Sequence, residues 1–321
     1  MKKSVLLAAS LAAVGLISTA AAGAKTGGSA YRVVYIPGLT GNPFYSTVAC
    51  GAESVAKSLN VDFSVQGAPT FAVTAQTPIV QAVTASHPNA IMISNDDPKA
   101  MIPSLLAAQN AGIKIVNIDG DLADMSVGVT NIQSDNTLGG QLAGAAMGKL
   151  IHGKGTVVII DNSPGYPISE ERRDGFLDAM KKFPGITVLP VQYSNNSPAT
   201  AASIVTSTAS AHSDFAGVYT VETNNTEGAI TGVRDAHLVG KVKIVGYDTS
   251  DPIVAGIESG IVSADIVQYP YGEGRLGLES AVKAIQGKAV PREQSQPFVV
   301  ATPSNIHTAT VQRFIYKTSC S

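Results

Sequence analysis

The sequence predicts an α/β fold in which parallel sheets are covered by helices. Short strand-like runs alternate with longer stretches that carry apolar side chains along one face, almost from end to end of the 321 residues. This alternation is typical of βαβ units and parallel sheets. The composition agrees, since 45% of the residues are hydrophobic and only 14% are charged, as expected for strands that are buried on both faces.

The predicted elements are too numerous for one open sheet, so two sheets are expected. Strands are predicted over 32–36, 62–66, 90–94, 113–118, 156–160, 187–192, 217–220, 242–246 and 262–268. The apolar stripes predict helices between them, for example over 45–59, 99–111, 138–151, 170–183 and 273–286. Polar, turn-forming residues at 128–140 indicate a crossing between two lobes, and a second turn cluster at 268–272 indicates a return.

The first residues predict export. Lys2 and Lys3 precede an apolar run over 4–17 that is too short to span a bilayer comfortably, and Ala22-Gly23-Ala24 offers a small-residue cleavage site. We therefore expect residues 1–24 to be a signal peptide that is removed on secretion to the periplasm. A retained membrane anchor is the alternative interpretation.

Charge and cysteine content narrow the class of protein further. The formal net charge of −2, without a basic block, does not favour nucleic acid or an anionic membrane surface as a partner. The two cysteines, Cys50 and Cys320, lie near opposite ends of the exported chain. A disulfide and two free thiols both remain open, because the sequence does not show whether the α-carbons approach within about 7 Å.

Polar side chains follow several predicted strands, at the ends where parallel α/β sheets bind ligands. The candidate binding residues are Asn42, Phe44, Tyr45, Asp119, Asp121, Arg172, Glu222, Asn224, Asp248 and Gln268. Each has an alternative structural role, because Asp and Asn at such junctions often cap helices and aromatic residues often fill cores. Together they offer paired hydrogen-bond acceptors and donors beside aromatic faces, which suits a neutral polyhydroxylated ligand.

Catalytic signatures are weak in the sequence. No Gly-x-Ser-x-Gly motif is present, and the near phosphate loop over 148–155 has Gly155 where Ser or Thr is required. The five histidines are scattered without metal-ligand spacing. No catalytic residue, metal site or cofactor is therefore predicted. A secreted α/β enzyme is kept as the minor alternative.

Several short motifs occur along the chain in an order and spacing that match a known family. They are 42–45 (NPFY), 116–119 (VNID), 134–140 (SDNTLGG), 171–176 (ERRDGF), 245–248 (VGYD) and 266–268 (IVQ) followed by Pro270. In this order the chain resembles the type I periplasmic sugar-binding proteins of the ribose-binding kind. The core domains of LacI-type repressors are relatives, but they begin with a DNA-reading helix-turn-helix and lack a signal peptide.

The resemblance implies two Rossmann-like lobes joined by a three-crossover hinge, with the ligand in the cleft. The first lobe would comprise 30–134 plus 269–299, and the second 135–268 plus 300–321. Such a protein captures a neutral monosaccharide or sugar alcohol by hinge closure and delivers it to an ABC-type permease. A chemoreceptor is a second candidate partner, and a monomer is expected.

The pocket departs from the family's ribose-binding pattern at several positions. Gly120 stands where an Arg usually follows the strand-end Asp, with Asp121 next, and Tyr45 replaces the second Phe of an aromatic pair. Glu222 stands where an Asn is usual, with Asn224 nearby. These changes favour a pentose other than ribose, a hexose or a sugar alcohol.

One further position enters the candidate site through the resemblance alone. Asn196 aligns with a Phe that the family places just before a helix, here expected to begin near Ser197. With Asn196 the predicted lining is more polar than a ribose pocket. Because Gly120 and Glu222 also depart from the ribose pattern, a non-sugar small metabolite or signal molecule bound by the same fold is the main alternative.

Overall fold

Two sheets organise the computed structural model, which describes residues 1 and 30–320. The strands are β1 (Tyr31–Ile36), β2 (Val61–Val65), β3 (Ala90–Ile93), β4 (Lys114–Ile118), β5 (Thr130–Ser134), β6 (Gly155–Asp161), β7 (Ile186–Val188), β8 (Gln192–Tyr193), β9 (Phe215–Thr220), β10 (Lys243–Tyr247), β11 (Val262–Val267), β12 (Glu293–Gln296) and β13 (Val299–Ala301). The helices are α1 (Pro43–Ala56), α2 (Val73–Ala85), α3 (Ile102–Asn110), α4 (Asn136–Leu150), α5 (Pro167–Met180), α6 (Pro198–Ala211), α7 (Thr223–Asp235), α8 (Asp251–Glu258), α9 (Pro270–Ile285) and α10 (Ala309–Gln312). The predicted cleavage site at 22–24 lies outside the described residues.

The two sheets repeat one strand order. The first runs β12-β5-β4-β3-β1-β2, and the second runs β13-β11-β10-β9-β6-β7, with β8 also paired to β6. Every described pair is parallel except β13, which runs antiparallel to β11. In such sheets, ligands bind beyond the carboxyl ends of the strands, near the point where the strand order reverses. The predicted α/β fold with two parallel-sheet lobes is confirmed.

The chain passes between the lobes at three places. It leaves the first sheet after β5 to form α4, which packs on α5, β10 and β11 of the second lobe. It returns after β11 to form α9, which packs on α1, β3, β4 and β5 of the first. The third passage joins β12, which pairs with β5, to β13, which pairs with β11. These passages confirm the predicted three-crossover hinge.

Two helix pairs approach at backbone contact, and each includes a helix that begins at a crossing. A β-carbon at Gly274 of α9 would overlap the carbonyl oxygen of Val48 on α1, and one at Gly175 of α5 would overlap that of Thr137 on α4. Because any side chain here would push the helices apart, glycine fixes their spacing. The first turns of α1 and α5 are therefore seated directly against the segments that join the lobes.

The observed strands differ from the predicted ones in two places. The predicted strand over 187–192 is divided into β7 and β8 by Pro190, which cannot donate a ladder hydrogen bond. Residues 130–134, predicted as part of a polar crossing, form strand β5 instead. Their polar side chains find partners at the sheet edge, where Gln294 of β12 donates to the Thr130 hydroxyl at 3.0 Å.

The C-terminal tail, defined as residues 302–320, runs from the second lobe back to the first. It includes α10, which packs on β13, and then passes Tyr269 at the second crossing, where the Phe314 ring lies 4.8 Å from the Tyr269 ring. At its end Cys320 forms a disulfide with Cys50 of α1, their α-carbons 5.0 Å apart. The last residues of the tail therefore lie on the first lobe, whereas residues 300–321 are predicted to belong to the second.

We expect the disulfide to add substantially to the free energy of unfolding. It closes a loop across a sequence separation of 270 residues, and constraining so long a loop in the unfolded chain is worth about 5 kcal/mol or slightly more. The double variant Cys50→Ser, Cys320→Ser should lose about that amount in urea unfolding. Reducing agent should lower wild-type stability similarly and leave the variant unaffected; equal stability of oxidised and reduced wild type would contradict the prediction.

Candidate functional site

A cavity lies between the carboxyl ends of the two sheets. Its space, counted out to the opening into solvent, is about 610 Å³. The predicted residues that line it are Asn42, Phe44, Tyr45, Asp119, Arg172, Asn196, Glu222, Asp248 and Gln268. The lining residues that the sequence analysis did not select are Leu39, Phe71, Asn162, Tyr166, Ile168, Ser169, Val221 and Thr223. The structure thus brings most of the predicted residues together, and their role in binding stays a prediction.

Two aspartates face this cavity from equivalent positions in the two lobes. Asp119 directly follows β4 and Asp248 directly follows β10, which hold the same place in the two repeated strand orders. Each backbone N–H donates across to the neighbouring strand at 2.9 Å, to the carbonyl oxygen of Ile132 or Ile266. Both residues adopt left-handed backbone angles, with φ of 56° and 69°, a conformation that Asp tolerates better than most residues. This shared geometry makes the two carboxylates converge.

Asp248 is held by two donors on one oxygen. Its Oδ1 accepts from Gln268 Nε2 at 2.8 Å and from the Tyr316 hydroxyl at 2.7 Å. Its Oδ2 lies 3.9 Å from Arg172 Nη1, which is an ion pair without a direct hydrogen bond. The carboxylate is therefore fixed in orientation, with Oδ2 left to accept further hydrogen bonds.

Arg172 is the buried cation of the site, with 4% of its surface exposed. Its Nε donates to Asn136 Oδ1 and its Nη1 to the carbonyl oxygen of Val221, both at 2.9 Å. Its guanidinium lies 4.0 Å from the centroid of the Tyr247 ring, a cation–π contact. Burial by itself lowers the pKa of Arg172, whereas the nearby Tyr247 and Asp248 raise it. The upward effects together are larger, so the pKa lies above its ordinary value. The guanidinium stays charged and keeps donors available to the cavity.

Asp119 lacks the partners that hold its counterpart. No side chain among residues 30–320 donates a hydrogen bond to its carboxylate, and burial raises its pKa to about 7, with Arg172 lowering it and Asp248 raising it. The Gln268 Oε1 is likewise buried without a hydrogen-bond partner in the described part of the chain. Since buried acceptors are normally satisfied, these atoms are suited to accept hydrogen bonds from ligand hydroxyls.

Glu222 combines a helix cap with a place in the lining. Its carboxylate accepts from the backbone N–H groups of Asn224 and Asn225, at 2.9 and 2.8 Å, and so caps α7. Burial raises the pKa of Glu222 to about 7. Asn224 itself does not line the cavity; its Nδ2 donates to Asn196 Oδ1 at 2.9 Å and fixes that residue.

The structure places Asp121 outside the cavity lining. Its carboxylate accepts from the side-chain amides of Gln133, at 3.0 Å, and Asn131 on β5. Three residues beyond the end of β4, the chain has turned towards the neighbouring strand. At Gly120 a β-carbon would contact Ile168 of the opposite lobe, so the absence of a side chain there leaves room at the cleft edge.

Aromatic rings cover the cleft from both sides. Asn42 caps α1 by accepting from the Phe44 N–H at 2.8 Å, and this places Phe44 and Tyr45 in the first turn, with ring centroids 5.3 Å apart. At the mouth, Phe71 of the first lobe meets Tyr166 of the second edge to face, at 5.7 Å. This contact shows the lobes closed on each other.

Comparison with known proteins identifies the family. A family model described as a periplasmic binding protein domain matches residues 33–289. The chain is a periplasmic binding protein. Membership confirms the predicted resemblance, the binding role without catalysis, and the periplasm as its compartment.

Relatives of this periplasmic binding protein are named for sugars. It is 29% identical to a D-ribose/D-allose-binding protein of Pseudomonas aeruginosa, over 73% of this chain and 74% of the relative. A solute-binding protein of an ABC transporter from Agrobacterium vitis, solved with α-D-tagatopyranose, superposes with a TM-score of 0.86 at 33% identity, covering 89% of this chain and 99% of that one. One from Agrobacterium radiobacter, in complex with D-arabinose, gives 0.84 at 28% identity, with the same coverage of both chains.

Other site types find little support in this periplasmic binding protein. Residues 272–277 spell Gly-x-Gly-x-x-Gly, but they lie inside α9, and the preceding strand β11 belongs to the other sheet, so no dinucleotide-binding βαβ unit is formed. Within the described part, no group of three or more His, Cys, Asp or Glu side chains could hold a metal ion. No helix there is long and apolar enough to cross a membrane.

We expect Asp119→Asn to stabilise the ligand-free protein at pH 8. The pKa of Asp119 rises from about 4 in the unfolded chain to about 7 in the fold, so its contribution to stability is complete below pH 4 and is lost as the pH rises to 7. Asn cannot ionise, and should add up to about 4 kcal/mol to the free energy of unfolding at pH 8, since one pKa unit corresponds to about 1.4 kcal/mol.

The measurement is urea unfolding of variant and wild type at pH 5 and pH 8. The difference between them should grow with pH. Asp178→Asn, an exposed change on α5, serves as the control and should show little change. A variant that is less stable than the wild type at pH 8 would contradict the prediction.

Proposed function

We propose that this protein captures a neutral monosaccharide or sugar alcohol by hinge closure and delivers it to an ABC importer. The main support is that Asp119 and Asp248, from opposite lobes, line the same cavity, with Arg172 and Gln268 beside them. A ligand that bonds both aspartates joins the two lobes. Hinge closure of this kind is a recognised motion of periplasmic binding proteins.

The chemistry of the lining favours hydroxyl groups. The free carboxylate of Asp119 and the Gln268 Oε1 accept hydrogen bonds, and the Arg172 guanidinium donates them. The rings of Phe44 and Tyr45 offer apolar faces of the kind that cover the C–H face of a sugar ring. An anionic ligand would meet three acidic residues around one arginine, which disfavours it.

The size and character of the ligands in similar proteins support the same class. Names and complexes of relatives include ribose, allose, tagatose and arabinose, which are pentoses and hexoses. The cavity differs from a ribose pocket at Gly120, Asn196 and Glu222, so a sugar other than ribose is the better candidate. A small non-sugar metabolite is the second candidate, because Glu222 adds an acidic group that an amine could meet.

The finer parts of the proposal concern export and partners. The basic start, apolar run and cleavage site of residues 1–24 support secretion through a cleaved signal peptide. We infer that the exported protein acts as a monomer, and that the closed lobes together form the face recognised by the permease. A chemoreceptor is a further candidate for that face.

A thermal-shift and calorimetry screen tests the proposal directly. The panel contains D-ribose, D-allose, D-tagatose, D-arabinose, ribitol, mannitol and a set of small amines and amides. A ligand specific for the folded state stabilises it by about 4 kcal/mol at a thousandfold excess over Kd, so one or two related polyols should raise the Tm clearly. A shift caused only by a non-sugar would overturn the carbohydrate assignment.

We expect sugar affinity to depend on the Asp119 carboxylate and to weaken below pH 7. Hydroxyl donors favour the ionised form, whereas burial raises the pKa of Asp119 to about 7 in the ligand-free closed form. Binding at pH 6 should therefore release a proton, and affinity should fall as the pH drops from 7 to 5. Calorimetry in two buffers of different ionisation enthalpy measures the release.

The sugar affinities of two substitutions, two residues apart, distinguish an aspartate that lines the cavity from one that lies outside it. Asp119→Asn should lower sugar affinity at least about a hundredfold, equivalent to roughly 3 kcal/mol. Asp121→Asn, whose carboxylate lies outside the cavity, should leave affinity within about twofold of the wild type. The reverse order of effects would show that the lining has been assigned to the wrong aspartate.

A further inference from the structure

The C-terminal tail touches the candidate site from behind, at a residue that does not itself line the cavity. Tyr316 is buried, and its hydroxyl donates to Asp248 Oδ1 at 2.7 Å. Its ring lies 5.7 Å from the ring of Phe44, edge to face. One side chain of the tail thus contacts a cavity-lining carboxylate of the second lobe and a cavity-lining ring of the first.

The Tyr316 hydroxyl is suited to act as a permanent donor. Burial raises the pKa of Tyr316 well above its usual value, and the neighbouring Asp248 raises it further. The group therefore keeps its proton throughout the physiological range. With Gln268 Nε2 on the same oxygen, it fixes the carboxylate plane and leaves Oδ2 towards Arg172.

The backbone around Tyr316 is tied to both lobes. The Tyr316 N–H donates to Thr249 Oγ1 in the second lobe at 3.0 Å. The next residue, Lys317, exchanges two hydrogen bonds with Thr47 of α1, through its N–H at 2.6 Å and its carbonyl oxygen at 3.2 Å. The tail therefore makes a fourth connection between the lobes, and the bond from Cys320 to Cys50 closes it covalently.

We propose that the C-terminal tail is part of the ligand site, with Tyr316 as a positioning residue for Asp248 and Phe44 that the Cys50–Cys320 disulfide keeps in place. This inference rests on the proposed function. The disulfide is separated from the ligand cavity, yet it holds the end of the segment that carries Tyr316. Loss of the disulfide should allow the tail to detach from the first lobe. Asp248 would then lose a hydrogen-bond donor, and Phe44 would lose its contact with the Tyr316 ring.

Four variants test the proposal, with Kd measured by calorimetry for the tightest-binding sugar among D-ribose, D-allose, D-tagatose and D-arabinose. Tyr316→Phe removes one hydroxyl and keeps the ring against Phe44. The double variant Cys50→Ser, Cys320→Ser removes the tether. The triple variant combines these changes. Tyr35→Phe is the matched control, because it removes another buried tyrosine hydroxyl, bonded to Ser94 at 2.9 Å, outside the cavity lining.

We expect Tyr316→Phe to weaken binding about tenfold and the double serine variant to weaken it several-fold. The Kd of the triple variant should be at most about twofold higher than the Kd of Tyr316→Phe. Both changes disrupt the same contacts of Tyr316, so their effects are not independent. Tyr35→Phe should lose stability comparably to Tyr316→Phe in a thermal melt, yet keep wild-type affinity. A purely structural role for Tyr316 would move only the melting temperature.

The outcomes separate this inference from the function on which it rests. Wild type that binds a sugar, with Tyr316→Phe binding equally well, overturns the positioning role and leaves the proposed function standing. Losses that multiply in the triple variant overturn the coupling between tether and Tyr316. Wild type that binds none of the four sugars overturns the proposed function for these ligands, and the inference with it.

Discussion

The site depends on keeping ionisable groups buried between two lobes, where they are poorly solvated. An isolated charge in such a place is strongly unfavourable, and removing one partner of a buried ion pair typically costs about 3–5 kcal/mol. The structure meets this constraint for Arg172 with an amide, a backbone carbonyl and an aromatic ring. It meets it for Asp248 with Gln268, Tyr316 and the nearby arginine. Asp119 has no such partners among the described side chains, so a ligand in the cavity would supply its donors. We therefore expect ligand binding and closure of the lobes to be linked.

The repeated strand order explains why these groups meet. In each lobe the equivalent strand, β4 or β10, is followed by an aspartate whose backbone turns into the left-handed region and bonds to the neighbouring strand, β5 or β11. Opposed sheets with the same order therefore place two carboxylates opposite one another. The helices that follow the first strands of the two lobes, α1 and α5, carry Phe44, Tyr45 and Arg172. They pack at glycine contacts on α9 and α4, so the lining is continuous with the hinge.

The sequence could predict the groups that the topology positions, and failed where side chains depend on distant packing. Asp119, Asp248 and Gln268 follow strands, and the rule that ligands bind beyond strand ends selects them. Asp121 and Asn224 follow strands too, but each lies two residues further on, where the chain has turned and the side chain supports a neighbour. Phe71 and Tyr166 face each other only in the folded cleft. The Cys50–Cys320 bond and the Tyr316 contact join positions too far apart in sequence for any local pattern to pair them.

In the proposed function, we expect the two aspartates to play different parts in recognition because their surroundings differ. Asp248 accepts two hydrogen bonds on one oxygen, so its other oxygen is held in a fixed position. A ligand hydroxyl must be placed to match that position in order to donate to it. Asp119 has no such support, and its burial places its titration near neutral pH, so its state responds to donors supplied by the ligand. A solute that matches the first but cannot donate to the second leaves a buried carboxylate unpaired. We therefore expect selectivity in this cleft to arise as much from the penalty at Asp119 as from the attraction at Asp248.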